Sequence, residues 1–277
     1  MSSFQTPQTC TAEEPRRCDL GRAAELLALA TTVLATLATT IACNSAPTGA
    51  AAPNMGLQPV KNGELSAIAA GRTDKGIPGH GYTDIYEGFL VQWRYAPLRI
   101  MEIGVAGGGS LGLWYNYFPQ ASIFGIDIDD ASRFENARVK TCRADQSKRD
   151  QLEKCLKQFG GSFDLLIDDG GHSMDQQQIS LGYLFPHVRP NGFYFLEDLH
   201  TSLPEVYPGF GVEPGEANTT LTMLARYLHG VPAHFESKYM TDGERSYLDA
   251  HVEYISLNFL NNQSHSIMCV LKKTAQP

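Results

Sequence analysis

The sequence predicts an α/β fold: a doubly wound sheet, mostly parallel, with one antiparallel C-terminal strand. Three observations predict it. From residue 99 onward, short apolar runs alternate with helical stretches. A glycine-rich turn follows the first run and opens a helix. The chain ends in two apolar runs joined by a short turn. Strands alternating with helices imply a parallel sheet covered on both faces. Right-handed crossovers then fix most of the strand order.

Each element follows in turn. Arg99–Val105 (RIMEIGV) is a short apolar run with β-branched residues, then comes the turn Ala106–Gly109 and the helix Leu111–Phe118. Ser122–Ile128 (SIFGIDI) is the second strand and runs into Asp127, Asp129 and Asp130. Val139–Ala144 is a weaker third strand, followed by an amphipathic helix over Ser147–Phe159. Phe163–Ile167 is the fourth strand, cut off by Asp168-Asp169-Gly170-Gly171, and Met174–Phe185 is the helix after it. Gly192–Leu196 is the fifth strand. Ser202–Ala217, with three prolines and three glycines, is irregular. Such loops beside a site are often lids. Its Tyr207 and Phe210 either pack on an acceptor's apolar face or simply on the surface. Glu253–Leu260 and Ser266–Lys272 form the closing hairpin.

At 277 residues the chain holds one large domain or two small ones. Apolar residues at 43% and charged ones at 19% support a core and exclude wholesale disorder. A net charge of −8 excludes a phosphate-backbone grip, so no nucleic-acid partner is expected. Six dispersed cysteines with no C-x-x-C pair exclude a disulfide-dense scaffold and a zinc ribbon.

The beginning of the chain differs from the rest. Residues 1–22 read as a disordered tail, 23–43 as a hydrophobic helix, 44–60 as an Ala/Pro/Gly linker, and 61–277 as the functional domain. Leu26–Cys43 runs without a charge, about the length that crosses a hydrocarbon core. It is a membrane anchor or uncleaved signal preceded by Arg16, Arg17 and Arg22, a helix packed on protein, or a cleaved targeting peptide. The domain is expected in the cytoplasm, with a membrane tether through residues 26–43 on the first reading.

The antiparallel finish makes residues from about 84 to the end resemble the class I S-adenosylmethionine-dependent methyltransferases, whose sheet is Rossmann-like. The turn Glu102–Ser110 (EIGVAGGGS) supplies the cofactor candidates Glu102, Gly104, Gly108 and Ser110. A Gly-rich turn can be no more than a tight turn. Here Glu102 argues against a pyrophosphate, whose charge it would oppose, and for a ligand carrying an ammonium and a sulfonium. The resemblance implies that Asp127, about twenty residues on, reaches the ribose hydroxyls. Asp145 lies against the adenine or caps the next helix, and Asp168 sits near the methionine end.

Two segments carry the chemistry: Leu166–Ser173 (LIDDGGHS) and Phe195–Thr201 (FLEDLHT). Each ends a strand at the sheet edge where α/β ligand sites lie. Neighbouring strands about 4.8 Å apart bring their carboxylates together. Asp169, Glu197 and Asp198 would repel one another unless a hard divalent cation, Mg²⁺, sits among them. The plain alternative is that Asp169 and Asp198 cap helices. His172, three residues after Asp169, is the general-base candidate, with Asp169 beside it.

Asp169–His172 with Glu197-Asp198 resembles the metal-dependent macrolide-sugar O-methyltransferases of the mycinamicin type. Arg72–Gly76 and His80-Gly81-Tyr82 resemble the segment before their cofactor domain, expected to fold over the cofactor pocket. The resemblance covers most of residues 70–272 and implies metal at Asp169, Glu197 and Asp198 and a base at His172. It implies a Mg²⁺-dependent O-methyltransferase acting on a small hydroxylated acceptor, a sugar or glycosylated natural product. Relatives labelled cephalosporin hydroxylases keep an oxygenase open, with His172 and His200 beside Asp169 as iron ligands. A non-catalytic cofactor-binding module stays open too, as does a homo-oligomer.

Overall fold

A computed structural model describes residues 63–213, 215–216, 218–230, 234–261 and 265–275. The apolar run 26–43 lies outside the described residues. Among the described residues, no helix is long and apolar enough to cross a membrane.

The predicted strands form one sheet. β1 (Arg99–Ile103), β2 (Ser122–Asp127), β3 (Val139–Arg143), β4 (Phe163–Asp168), β5 (Val188–Leu196), β6 (Val252–Phe259) and β7 (Ile267–Lys273) lie in the order β3-β2-β1-β4-β5-β7-β6. β1 to β5 pair in parallel, and β7 runs antiparallel between β5 and β6. β5 starts at Val188, four residues before the expected Gly192, because Val188 already pairs with Phe163 across a register shift.

Side chains alternate between the faces of the sheet. Met101, Ile103, Leu166, Tyr194 and Leu196 face one core layer; Ile100, Leu165, Ile167, Phe193 and Phe195 face the other. The first layer receives α4 (Arg149–Phe159), α5 (Met174–Leu184), α6 (Thr220–Leu228) and α7 (Asp242–His251). The second receives α1 (Glu64–Ala69), α2 (Thr83–Leu90) and α3 (Gly109–Tyr117). Burial of these faces, worth roughly 25 cal/mol per Å² of apolar surface, holds the three layers together.

Several boundaries are set by local chemistry. α3 begins at Gly109, two residues before the expected Leu111, because Gly108 stands in a left-handed conformation (φ 78°) that turns the chain into the helix. α4 begins at Arg149 rather than Ser147, since Ser147 is held by Asp145 in the preceding turn. α5 opens with a capping box between Ser173 and Gln176. A disulfide joins Cys142 of β3 to Cys155 of α4. The helices α6 and α7 fall in a stretch for which the sequence reading assigned no elements; both open with threonine capping boxes.

Candidate active site

The Gly-rich turn is built by close approaches. A Cβ on Gly104 would collide with the Asp169 carbonyl oxygen, and one on Gly108 with the Phe134 ring. The Asp169 amide donates to the Ile103 carbonyl at 3.0 Å. The end of β1 and the loop after β4 therefore form one unit. Asp127 braces the turn: its Oδ2 accepts from the amides of Val105 and Ala106 at 2.7 and 2.8 Å, and its Oδ1 from that of Asp129 at 2.8 Å.

Two cavities flank this turn. One of about 280 Å³ is lined by Asp127, Ala144, Asp145, Gln146 and Gly171. The other, about 660 Å³, is lined by Arg72, Asp74, Ser110, His172 and Asp198. Both share Gly104, Ala106, Asp169 and Gly170. Asp145 faces the smaller cavity and also accepts from the Ser147 amide and hydroxyl at 2.8 and 2.7 Å. It closes the turn before α4 and does not cap the helix, whose N-cap, Lys148, makes no side-chain cap bond.

Asp168 is placed differently from the expectation. The alternation of β4 turns it to the face opposite Asp169. It is buried, and there it accepts from the Ser180 hydroxyl, from Tyr194 Oη at 2.8 Å and from Gln146 Nε2 at 3.1 Å. Burial raises its pKa to about 6. It lines neither of the two cavities at the turn. Through Gln146, whose Oε1 accepts from the Gly171 amide at 2.6 Å, it supports the Gly170-Gly171 loop.

Glu102, Asp169 and Glu197 converge on the other face, around the buried ammonium of Lys75. Lys75 Nζ donates to Asp169 and, at 2.8 Å, to Glu197 Oε1; Glu102 Oε1 lies 3.4 Å away. Glu197 also accepts from the Tyr86 hydroxyl, and Glu102 Oε2 from Ser110 Oγ at 2.8 Å. Burial lowers the pKa of an ammonium, but the three carboxylates outweigh it and hold Lys75 well above its usual value. Burial pushes Glu102 up to about 7. Burial and then the neighbouring Asp169 raise Glu197 well above the ordinary carboxylate range. One ammonium thus serves three carboxyl groups, of which Glu102 and Glu197 are buried and Asp169 is about 21% exposed.

Asp198 is the second residue beyond β5, in a left-handed conformation (φ 56°) that aspartate tolerates. Neither Asp198 nor Asp169 acts as a helix cap: Asp198 makes no side-chain cap bond to the 3₁₀ turn Leu199–Ser202, and α5 is capped by Ser173. Asp198 Oδ2 lies 3.3 Å from His172 Nε2. Asp198 Oδ1 accepts from Tyr82 Oη at 2.8 Å, with His80 Nδ1 at 3.5 Å and His200 Nδ1 at 3.9 Å. Burial opposes its ionisation, but His172, His80 and Tyr82 prevail and hold its pKa below the usual value. Ligand atoms of Asp169, His172 and Asp198 all lie within 4.8 Å of one another. The two carboxylates offer oxygen ligands to a hard divalent cation, while Glu197, predicted with them, stands outside this group and is engaged by Lys75 and Tyr86.

The structure thus brings Asp169, His172 and Asp198 to the wall of the larger cavity beside the Gly-rich turn. Glu102 and Glu197 are buried behind it, line neither cavity and are held by Ser110, Lys75 and Tyr86. Sequence reasoning named the 72–82 stretch only as a cover. It missed Lys75, Tyr82 and Tyr86 as direct partners of the strand-end acids. The available signal was electrostatic: three acids predicted at one buried edge need a cation from somewhere in the chain.

No family model matches the chain. Mycinamicin VI 2''-O-methyltransferase of Micromonospora griseorubida is 34% identical over 182 residues, covering 62% of this chain and 45% of that protein. The 8-demethyl-8-(2-methoxy-alpha-L-rhamnosyl)-tetracenomycin-C 3'-O-methyltransferase of Streptomyces olivaceus is 35% identical over 182 residues, covering 63% and 46%. The MycE methyltransferase of the mycinamycin biosynthetic pathway, in complex with Mg and SAH, superposes with a TM-score of 0.63 at 30% identity, covering 77% of this chain and 55% of that one. Over about 60% of its length the chain is similar to macrolide and sugar O-methyltransferases. A complex of MycE with Mg, SAH and mycinamycin VI gives a TM-score of 0.62 at 27% identity, covering 95% of this chain and 68% of that one. The mostly parallel seven-stranded sheet with an antiparallel C-terminal strand is the fold of these methyltransferases. The chain spans about half the length of the curated relatives it matches.

Proposed function

We propose that the chain is a Mg²⁺-dependent O-methyltransferase. It moves a methyl group from S-adenosylmethionine to a hydroxyl of a small acceptor, a sugar or glycosylated natural product. The observation that carries this reading is the cavity in which the Gly-rich turn faces Asp169, His172 and Asp198. The homologues support it, since their names describe O-methyl transfer and MycE was solved with Mg and SAH. The domain would work in the cytoplasm with the supply of its cofactor.

The smaller cavity takes the adenosine end, with Asp127 and Asp145 on its wall. Glu102 and the neighbouring carboxylates favour the cationic end of the cofactor over a pyrophosphate. A hard cation held by Asp169, Glu197 and Asp198 would orient the acceptor hydroxyl and lower its pKa. Asp198 Oδ2 beside His172 Nε2 favours a proton on that nitrogen, which leaves Nδ1 to take the hydroxyl proton. Asp198 then stabilises the imidazolium that forms. Alignment of the oxygen with the cofactor methyl supplies much of the rate. The oxygenase arrangement of His172, His200 and Asp169 has less support, because His200 approaches Asp198 and stands outside the Asp169–His172–Asp198 group.

Calorimetry with S-adenosylmethionine and a radiolabelled methyl-transfer assay on glycosylated acceptors, with Mg²⁺ and with EDTA, test the reading. Micromolar cofactor binding and EDTA-sensitive transfer are expected; absence of cofactor binding would sink it.

A further inference from the structure

The imidazoles of His80 and His200 are left unexplained by the reaction above. One ring nitrogen from each, together with a carboxylate oxygen of Asp198, lie within 4.8 Å of one another. This group is distinct from the Asp169–His172–Asp198 group and meets it only at Asp198. The two oxygens of that carboxylate face different partners: Oδ2 faces His172, and Oδ1 faces His80 and His200.

His200 supplies the second observation. The residue is 4% exposed, and its Nδ1 has no hydrogen-bond partner. A buried polar atom without a partner is destabilising and calls for an explanation. Its nearest charged neighbour, Asp198 Oδ1, is 3.9 Å away, beyond hydrogen-bonding reach but on the side of the shared cluster. The ring is held in place by Tyr207, centroid to centroid 4.4 Å, and by His80 at 5.7 Å. Tyr82 Oη fixes Asp198 Oδ1 at 2.8 Å, and Ser266 Oγ lies 2.9 Å from His80 Nδ1. Ser266 meets the same His80 nitrogen that faces Asp198, so a bound cation would take the place of that contact.

We propose that His80, His200 and Asp198 form a second cation site, selective for a divalent transition-metal ion of the zinc class. Two imidazoles and one carboxylate suit Zn²⁺, Fe²⁺ or Cu²⁺, whereas Mg²⁺ prefers oxygen ligands throughout. Asp198 would bridge the two sites, as carboxylates do in centres whose metals lie about 3.5–4 Å apart. The site stands whether or not the chain transfers methyl groups.

The test is a Zn²⁺ titration of the full chain by calorimetry and elemental analysis in a large excess of Mg²⁺. One Zn²⁺ per chain that Mg²⁺ does not displace is expected. His200→Ala and His80→Ala should each weaken it by more than about 100-fold, beyond the ~10–100-fold typical of lost supporting contacts. His172→Ala should retain it. Should His200→Ala fail to fold, Cu²⁺ bound to the His172→Ala protein reads the ligands directly. Pulsed electron paramagnetic resonance should then show two imidazole nitrogens. Zn²⁺ displaced competitively by Mg²⁺, unchanged affinity in both histidine variants, or an all-oxygen Cu²⁺ spectrum would each overturn the proposal. S-adenosylmethionine binding, measured separately, reports on the methyl-transfer reading alone.

Discussion

Lys75 Nζ and Glu197 Oε1 stand 2.8 Å apart in the interior, although 122 residues separate them in the chain. The pair is one arm of a buried cluster that also takes in Asp169 and Glu102. Such a pair contributes little net stability when intact, but breaking it strands charges. Lys75→Met should therefore destabilise the domain by about 3–5 kcal/mol at neutral pH, read by urea unfolding. Part of that loss should return as the pH is lowered and the stranded carboxylates take up protons. A variant as stable as the parent at pH 7 would show that Lys75 does not balance the cluster.

Replacing Glu197 with Gln keeps the shape and removes one charge. Methyl transfer should become much weaker and moderate Mg²⁺ should not restore it, while S-adenosylmethionine affinity changes little. Dialysis against EDTA should abolish transfer by the parent protein, and Mg²⁺ should restore it. Transfer that survives EDTA would remove the cation from the reaction.

How far the sequence could be read depended on range. The alternating pattern and the final hairpin were legible because strand periodicity and turn residues are local signals. Asp127, Asp169, His172 and Asp198 were legible because they stand at or within four residues beyond strand ends, and the strand ends of a parallel sheet share one edge. The direction in which each acid points was not taken from the sequence, although the information was there. Asp168 and Asp169 are consecutive, so the pleat sends Asp168 to Tyr194 and Ser180 while Asp169 meets Lys75. The partners Lys75, Tyr82 and Tyr86 come from a segment before β1 whose packing is a tertiary contact without a periodic signature.

His172→Ala should lower the transfer rate by roughly 10²–10⁴, the range of general acid–base contributions. Cofactor binding by calorimetry should survive, because the turn Glu102–Ser110 and Asp127 are untouched. Turnover equal to the parent's would show that the proton leaves by another route.

Glu102 gives a pH signature of its own. Burial raises its carboxyl from the ordinary 4.5 to about 7. The folded state therefore holds a proton that the unfolded state releases over that interval. Stability must then fall as pH rises from about 4.5 to about 7 and level off above. The loss attributable to this group is on the order of 3 kcal/mol, the offset by Lys75 being already contained in the raised value. Glu102→Gln carries no such proton, so its stability profile should lack this slope and cross that of the parent within the interval. Urea unfolding of both proteins at half-unit pH steps makes the comparison, and the difference between them cancels Asp168, whose raised carboxyl adds a slope of the same sign to each. Ionised Glu102 also attracts the cationic end of S-adenosylmethionine. Parental affinity should accordingly rise through the same interval more steeply than that of the Gln variant. Parallel stability profiles would mean that Glu102 is ionised throughout, its charge fully met by Lys75.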